Sequence, residues 1–226
     1  MRVIHISDTH TKHKLIAWNF DPANADMIIH SGDFTGIGSK YEVDDFFDWY
    51  SKLPIQYKVV VAGNHDKCFD AKFWEGNISV ENYAKEAIKN FTALDAMHFY
   101  LQDSMAVIEG IKIYGSPWSK WFHGHNWAFN TELGTEEEFY SKLPDNIDIL
   151  VTHGPPFGKL DYTNSCDYAG CEALLKRVKQ IKPKYHLFGH IHEGYGETFD
   201  GDTTYLNSSI MNYHYEPVNK PQVFEI

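Results

Sequence analysis

Five times along this chain a short apolar run stops at an Asp, Asn or His set beside a glycine or a threonine. The stretches are Asp8-Thr9-His10, Ser31-Gly32-Asp33, Gly63-Asn64-His65-Asp66, Thr152-His153-Gly154 and Gly189-His190-Ile191-His192. Short runs of this kind read as buried strands, so each polar group is delivered to a strand end. The glycines leave room for close approach of an ion or a substrate. One such turn is explained by a side chain bonding its own backbone; five are not. Carboxylates and imidazoles gathered together repel or stay unsatisfied unless a cation joins them. The chain is therefore expected to fold so that the five ends converge, and their convergence implies metal.

Local patterning supplies the frame. Strands are expected at residues 3–6, 26–30, 57–62, 98–101, 105–109, 111–115, 147–152, 185–188, 203–206 and 222–226. Val43, Phe46, Phe47 and Tyr50 mark an amphipathic helix over residues 39–53, ended by Pro54. A weaker helical stripe (Tyr83, Ala84, Ala87, Ile88, Phe91) lies within 67–95, and a short acidic helix within 135–143. Cys171, Leu174, Leu175, Val178 and Ile181 mark one more, closed by Pro183. The three runs between 98 and 115, split at Asp103-Ser104 and Glu109-Gly110, read as an antiparallel meander with tight turns. Residues 116–130 form an aromatic loop. The sum is an α/β chain read as one domain over residues 1–226, with two packed sheets covered by helices and its chemistry at strand ends.

Bulk properties narrow the partners. With 226 residues, 43% of them apolar, the chain can bury a sizeable core. A net charge of −11 and no Lys/Arg-rich run argue against long nucleic acid, whose binding leans on cations displacing counterions. A small anion stays open, because bound cations reverse the local potential. Cys68, Cys166 and Cys171 form neither a Cys-x-x-Cys pair nor an even set, which fits a reducing compartment. No signal-peptide core and no membrane-spanning apolar run is visible. A cytoplasmic protein with no membrane partner is expected.

Seven residues are candidate metal ligands: Asp8, His10, Asp33, Asn64, His153, His190 and His192. They exceed what one tetrahedral ion takes and suit two five- or six-coordinate ions sharing a bridge, for which Asp33 is the natural choice. Nitrogen and oxygen donors without thiolate favour Mn, Fe, Co or Zn, with Mn2+ expected first; Mg would prefer fewer imidazoles. Other features stay open at this level. Trp118, Trp121, Phe122, Trp127 and Phe129 either stack a nucleobase or form a packed cover, and His123-Gly124-His125 lines the cleft mouth or forms a further metal pair. His5 and His30, inside strands, read as hydrogen-bonded core or supporting groups, and Glu193, Tyr195 and Gly196 as support for the last ligand pair.

In order and over most of the chain, the five stretches resemble the motifs of the calcineurin-like metallophosphoesterase superfamily. Within it, Gly115-Ser116-Pro117-Trp118, Thr152-His153-Gly154-Pro155-Pro156 and the Gly189 to Gly196 stretch resemble the branch of metallophosphoesterase-domain-containing brain-type proteins and their microbial relatives, which is similar to the class III cyclic nucleotide phosphodiesterases. The resemblance implies a β-sandwich flanked by helices. It implies that Asp8, His10, Asp33 and His192 hold one ion and Asp33, Asn64, His153 and His190 the other. It leaves His65 free of metal, as general acid or phosphoryl clamp, with water activated between the ions attacking phosphorus directly.

One departure bears on the substrate. Ser/Thr phosphatases of the superfamily follow Gly-Asp with Asp-Arg-Gly, whereas Asp33 here leads into Phe34-Thr35-Gly36, and the only arginines are Arg2 and Arg177. Without that bidentate partner a monoanionic phosphodiester is favoured over a dianionic monoester. The expectation is a dinuclear-metal phosphodiesterase acting on small phosphodiesters such as cyclic nucleotides. Two alternatives stand beside it: a low-turnover metal- or nucleotide-binding scaffold of the same fold, and a nuclease on short oligonucleotides. Retention of His65, His190 and His192 together favours catalysis.

Overall fold

The computed structural model describes residues 1–74, 77–122 and 126–226. His123-Gly124-His125 lies outside the described residues. In chain order the strands are β1 (Arg2–Ile6), β2 (Met27–His30), β3 (Tyr57–Val60), β4 (His98–Tyr100), β5 (Ser104–Ile108), β6 (Ile111–Ser116), β7 (Ile149–Thr152), β8 (Tyr185–Phe188), β9 (Gly196–Phe199), β10 (Thr204–Asn207) and β11 (Gln222–Glu225). The helices are α1 (Lys40–Ser51), α2 (Ile78–Leu94), α3 (Glu136–Ser141) and α4 (Glu172–Ile181). Two sheets result, ordered β11-β1-β2-β3-β4 and β5-β6-β7-β8-β10-β9. Strands β1 to β4 run parallel in one, and β6, β7, β8 and β10 run parallel in the other.

Strand alternation divides the core into three layers. On β1 and β2, Val3, Met27 and Ile29 face the second sheet and pack with Ile113, Ile149, Val151, Leu187 and Leu206. Ile4, Ile6 and Ile28 point the other way, onto Val43, Phe46 and Tyr50 of α1 and Ala84 and Phe91 of α2. Beyond the second sheet, Leu150, Phe188 and Tyr205 meet Tyr140 of α3 and Leu174 and Val178 of α4. The architecture is thus helix, sheet, sheet, helix. A capping box starts α1, with Ser39 and Glu42 bonding reciprocally. Among the described residues, no helix is long and apolar enough to cross a membrane.

Three features differ from the expectation. The meander does not form: of its three runs, β4 pairs in parallel with β3, and β5 and β6 alone pair antiparallel with each other. The chain changes sheets at Asp103, whose carboxylate ties Ser116 and Trp118, and alternating apolar runs read alike whichever sheet receives them. Strand β9 was not expected, although Asp200-Gly201 beside it is a turn signal; its face alternates between half-buried and exposed, as an edge strand does. The 67–95 stretch also divides, into two short 3-10 turns (Lys67–Phe69 and Ala71–Phe73) and α2.

The buried Tyr50 hydroxyl lies 3.0 Å from Ile28 O and 2.9 Å from Val59 O, and so joins α1 to adjacent strands of the first sheet. Its proton serves one carbonyl at a time. Tyr50→Phe is expected to cost about 1–2 kcal/mol, the usual loss when a buried hydrogen bond is deleted. Urea unfolding reads this directly, and an unshifted midpoint would contradict it.

Candidate metal centre

All five polar stretches sit at the carboxyl ends of parallel strands: β1, β2 and β3 of one sheet, β7 and β8 of the other. The sheets are stitched together at this end. Ser7 N donates to Ser208 O at 3.0 Å and Ile210 N to Ser7 O at 2.9 Å. Each strand must stop and turn here, and the turning residues carry the polar groups. Asp8, His10, Asp33 and His190 have left-handed backbones, with φ of 50°, 39°, 58° and 67°. Such conformations cost about 1–2 kcal/mol per non-glycine residue and collect where function requires them.

The side chains converge in overlapping groups. Asp8, His10 and His192 bring donor atoms within 4.8 Å of one another, as do Asp33, His153 and His190, and also His10, Asp33 and His65. Asp33 Oδ2 is the common point, 3.3 Å from His153 Nε2, 3.8 Å from His10 Nε2 and 4.0 Å from His65 Nε2. Its other oxygen accepts from His65 N at 2.8 Å. Asn64 Oδ1 faces His153 Nε2 at 2.9 Å and His190 Nδ1 at 2.8 Å.

Hydrogen bonding behind the rings fixes what they present. His10 Nδ1 donates to Thr35 O, His153 Nδ1 to Ser31 O and His192 Nδ1 to Asn212 O, because a carbonyl can only accept. Neutral rings so tethered aim bare Nε2 lone pairs inward. His10 Nε2 and His192 Nε2 then meet at 3.3 Å with no proton between them, and His153 Nε2 meets the oxygens of Asn64 and Asp33. A buried cluster made of acceptors alone needs cations, and this nitrogen and oxygen set fits divalent ones. Glycine keeps the cluster tight: a Cβ on Gly63 would stand 2.3 Å from Asp33 Oδ1, and one on Gly189 would stand 2.0 Å from Asp8 Oδ2.

Protons substitute for the cations when metal is removed. Burial opposes charge on His153, but Asp33 beside it outweighs burial and pushes the imidazole up to about 9. His192 is raised too, with burial overcome by its bond to Asp8. Burial pushes His10 down to about 4 and His190 to about 3, so both stay neutral donors. At neutral pH a metal ion must therefore displace a proton from His153. Apparent affinity for the ion held through His153 is expected to rise about tenfold per pH unit from neutrality to about pH 9, then level off. Competition against a chelating dye measures this, and a pH-independent affinity would contradict it.

Comparison with known proteins names this arrangement. The family model described as calcineurin-like phosphoesterase matches residues 1–194, a span that includes all five strand-end stretches. The chain belongs to the calcineurin-like phosphoesterase family. Human metallophosphoesterase domain-containing protein 1 is 41% identical over 236 residues, covering 100% of this chain and 71% of its own. A UPF0046 protein of Caenorhabditis elegans is 37% identical over 219 residues, covering 89% of this chain and 54% of its own. The crystal structure of TT1561 of Thermus thermophilus shares the fold, with a TM-score of 0.61 at 13% identity, covering 91% of this chain and 88% of that one. Calcineurin-like phosphoesterases use divalent metals, and this chain has the His and Asp groups to bind them.

In this family member the turn after Asp33 is organised by Asp66. Its buried carboxylate accepts from Asp33 N, Gly63 N, Thr35 N and the Thr35 hydroxyl at 2.7 to 2.9 Å, locking two of the metal-facing loops together. Phe34 is fully buried, stacked 4.4 Å from Phe46. The His65 ring is oriented by a backbone group, donating from Nδ1 to Gly36 O at 2.7 Å. Neither arginine reaches the site: Arg2 lies over Phe20 at the far end of β1, and Arg177 on α4 bonds Asp145. His5 and His30 support the turns. His5 joins Ser31 to Ser208, and His30 joins Thr9 to Gly32 N.

A cavity of about 210 Å³ opens over the polar cluster, lined by Asp33, Asn64, His65, Phe122, Trp127, His190, His192, Glu193, Tyr213 and Tyr215. The aromatic loop divides in two. Trp118 and Phe129 form cover, edge to face at 5.7 Å with Trp118 bonded to Asp103, while Phe122 lies 4.8 Å from His190 and Trp127 4.4 Å from His65. Glu193 lines the cavity and accepts from Asn164 N. Tyr195 bonds Lys220 O, away from the site. Sequence reasoning missed Asn212, Tyr213 and Tyr215. They lie in an irregular C-terminal stretch with no apolar period, and the only signal was an aromatic pair placed after the last strand-end motif.

Proposed function

We propose that this chain is a dinuclear-metal phosphodiesterase that hydrolyses small phosphodiesters, cyclic nucleotides among them, by direct attack of water. The observation that carries the reading is the acceptor-only cluster centred on Asp33 Oδ2. In this reading Asp8, His10, Asp33 and His192 hold one ion, and Asp33, Asn64, His153 and His190 hold the other. Manganese is assigned first, with Fe, Co or Zn suiting the same donors. When bound, the ions supply a nucleophile from water near neutral pH and neutralise the phosphoryl oxygens.

The chain's own groups do the rest. Asp33 orients both halves of the site through one carboxylate, whose second oxygen is anchored by His65 N. His65 Nε2, aimed into the cluster and backed by Trp127, delivers a proton to the departing oxygen or clamps it by hydrogen bonding. Among the described residues no lysine or arginine lines the cavity, and Glu193 adds negative charge at its edge. That balance supports a singly charged diester over a doubly charged monoester.

The test uses chelated protein reloaded with manganese. Hydrolysis of bis-para-nitrophenyl phosphate and of cyclic adenosine monophosphate is compared with that of para-nitrophenyl phosphate. Metal-dependent turnover favouring the diesters is expected. Protein that binds nucleotide yet stays inert with every metal would overturn the assignment in favour of a scaffold.

A further inference from the structure

The C-terminal strap that carries Tyr213 and Tyr215 lies beyond the residues matched by the family model, yet it forms one wall of the cavity. The Tyr215 ring packs 4.9 Å from His10 and 4.9 Å from His192. Facing it across the opening are Phe122, 4.8 Å from His190, and Trp127, 4.4 Å from His65. Among the described residues no ring contact joins Phe122 or Trp127 to Tyr213 or Tyr215, so the two aromatic walls stand apart with the polar cluster at the base between them.

Both walls are built to hold position. Asn212 closes the strap by accepting from His214 N and Glu216 N and by donating to the Glu216 carboxylate, while its carbonyl tethers His192. Tyr215 is held with φ at 58°, and Lys12 Nζ donates to its carbonyl at 2.6 Å. Opposite, the Lys67 ammonium lies 4.6 Å from the Trp127 ring, and Lys72 donates to the Trp127 carbonyl. Tyr213 and Tyr215 are nonetheless 57% and 43% exposed, which leaves aromatic surface open to solvent directly above a polar site. Exposed aromatic faces fixed in this way offer contact area at little entropic cost.

We propose that Tyr215 is a specificity-determining residue that takes, against Trp127 and Phe122, a flat aromatic group of the phosphodiester substrate. The inference rests on the phosphodiesterase reading and names the substrate class within it. A planar substituent buries its faces between the two walls while the singly charged diester lies on the polar base. An alkyl diester gains only the second contact. Base-aromatic stacking of this kind is worth about 1–3 kcal/mol, or roughly fivefold to 150-fold in binding.

The test compares Tyr215→Leu and Tyr215→Phe with wild type, all manganese-loaded and with metal content measured. Three diesters are used: cyclic adenosine monophosphate, bis-para-nitrophenyl phosphate and glycerophosphocholine. For at least one aromatic diester, kcat/KM is expected to fall about tenfold further in the leucine variant than for glycerophosphocholine, with the phenylalanine variant near wild type. Loss on the nucleotide points to a nucleobase, and loss on the nitrophenyl ester alone points to an aryl group. Calorimetric titration with a phosphorothioate analogue of cyclic adenosine monophosphate, or with bis-para-nitrophenyl phosphate under non-turnover conditions, reads the same contact without turnover. Equal losses on all three diesters with metal released would show that Tyr215 only buttresses His10 and His192, and would overturn the inference, as would unchanged selectivity. If wild type cleaves none of the three yet binds an aromatic diester through Tyr215, the phosphodiesterase reading fails while the aromatic contact stands.

Discussion

Asp33→Asn is expected to lower kcat/KM for a phosphodiester by about a thousandfold, and to release metal from both halves of the site rather than one. Asp33 Oδ2 is the point at which the groups meet, within 3.3 to 4.0 Å of His153, His10 and His65. Burial works against the charge on Asp33, and His153 leads the imidazoles that hold its carboxyl well below the usual carboxylate range. Asparagine keeps the shape but removes the charge, and it can aim an amide N–H at a cation. A ligand serving one ion alone would leave the other bound, so metal content per chain separates a bridge from an ordinary ligand. Retention of two ions with near-normal turnover would contradict the role.

The second large effect is expected at His65. His65→Ala should reduce turnover about a hundredfold, the scale of a lost acid-base group, while metal content stays at the wild-type value. The ring is tethered through Nδ1 to Gly36 O and lies between Trp127 and His10. Its removal leaves Asp8, His10, Asp33, Asn64, His153, His190 and His192 in place. The loss should be steepest for diesters with basic leaving groups and shallow for para-nitrophenol, which departs without help. A plot of log kcat against leaving-group pKa reads this slope, and equal slopes for wild type and variant would remove His65 from proton transfer.

Both expectations grow from residues that were legible in the sequence, and the reason is local. Val3 to Ile6, interrupted by His5 alone, Met27 to Ile29 and Ile149 to Val151 are short runs that read as strands inside a covered sheet, so whatever follows them stands at a sheet edge. Asp33 and His153 therefore fall at strand ends on pattern alone, although 120 positions separate them (33 to 153). The alternation on β1 and β2 likewise carried enough information to require cover on both faces.

What the sequence left hidden depends on long-range geometry. Nothing in the pattern of residues 98–101 distinguishes the first strand of a meander from the last parallel strand of the first sheet, since a period of two serves both. Left-handed backbones at Asp8, His10, Asp33 and His190 carry no glycine signature. The carbonyl partners of the imidazoles come from Thr35, Ser31 and Asn212, chosen by fold rather than by residue type. Tyr215 reaches His10 across 205 positions (10 to 215), and only the closed sandwich brings them together.

In the proposed mechanism these side chains assemble two cations into one hydrolytic site. Its most direct test is a stoichiometric titration. Chelated protein receives manganese in fractions of an equivalent per chain while hydrolysis of bis-para-nitrophenyl phosphate and bound metal are followed together. Activity that climbs to a plateau at about two equivalents, and is absent from Asp33→Asn under the same loading, is the predicted result. A plateau at about one equivalent, or saturation of both sites without hydrolysis, would contradict it.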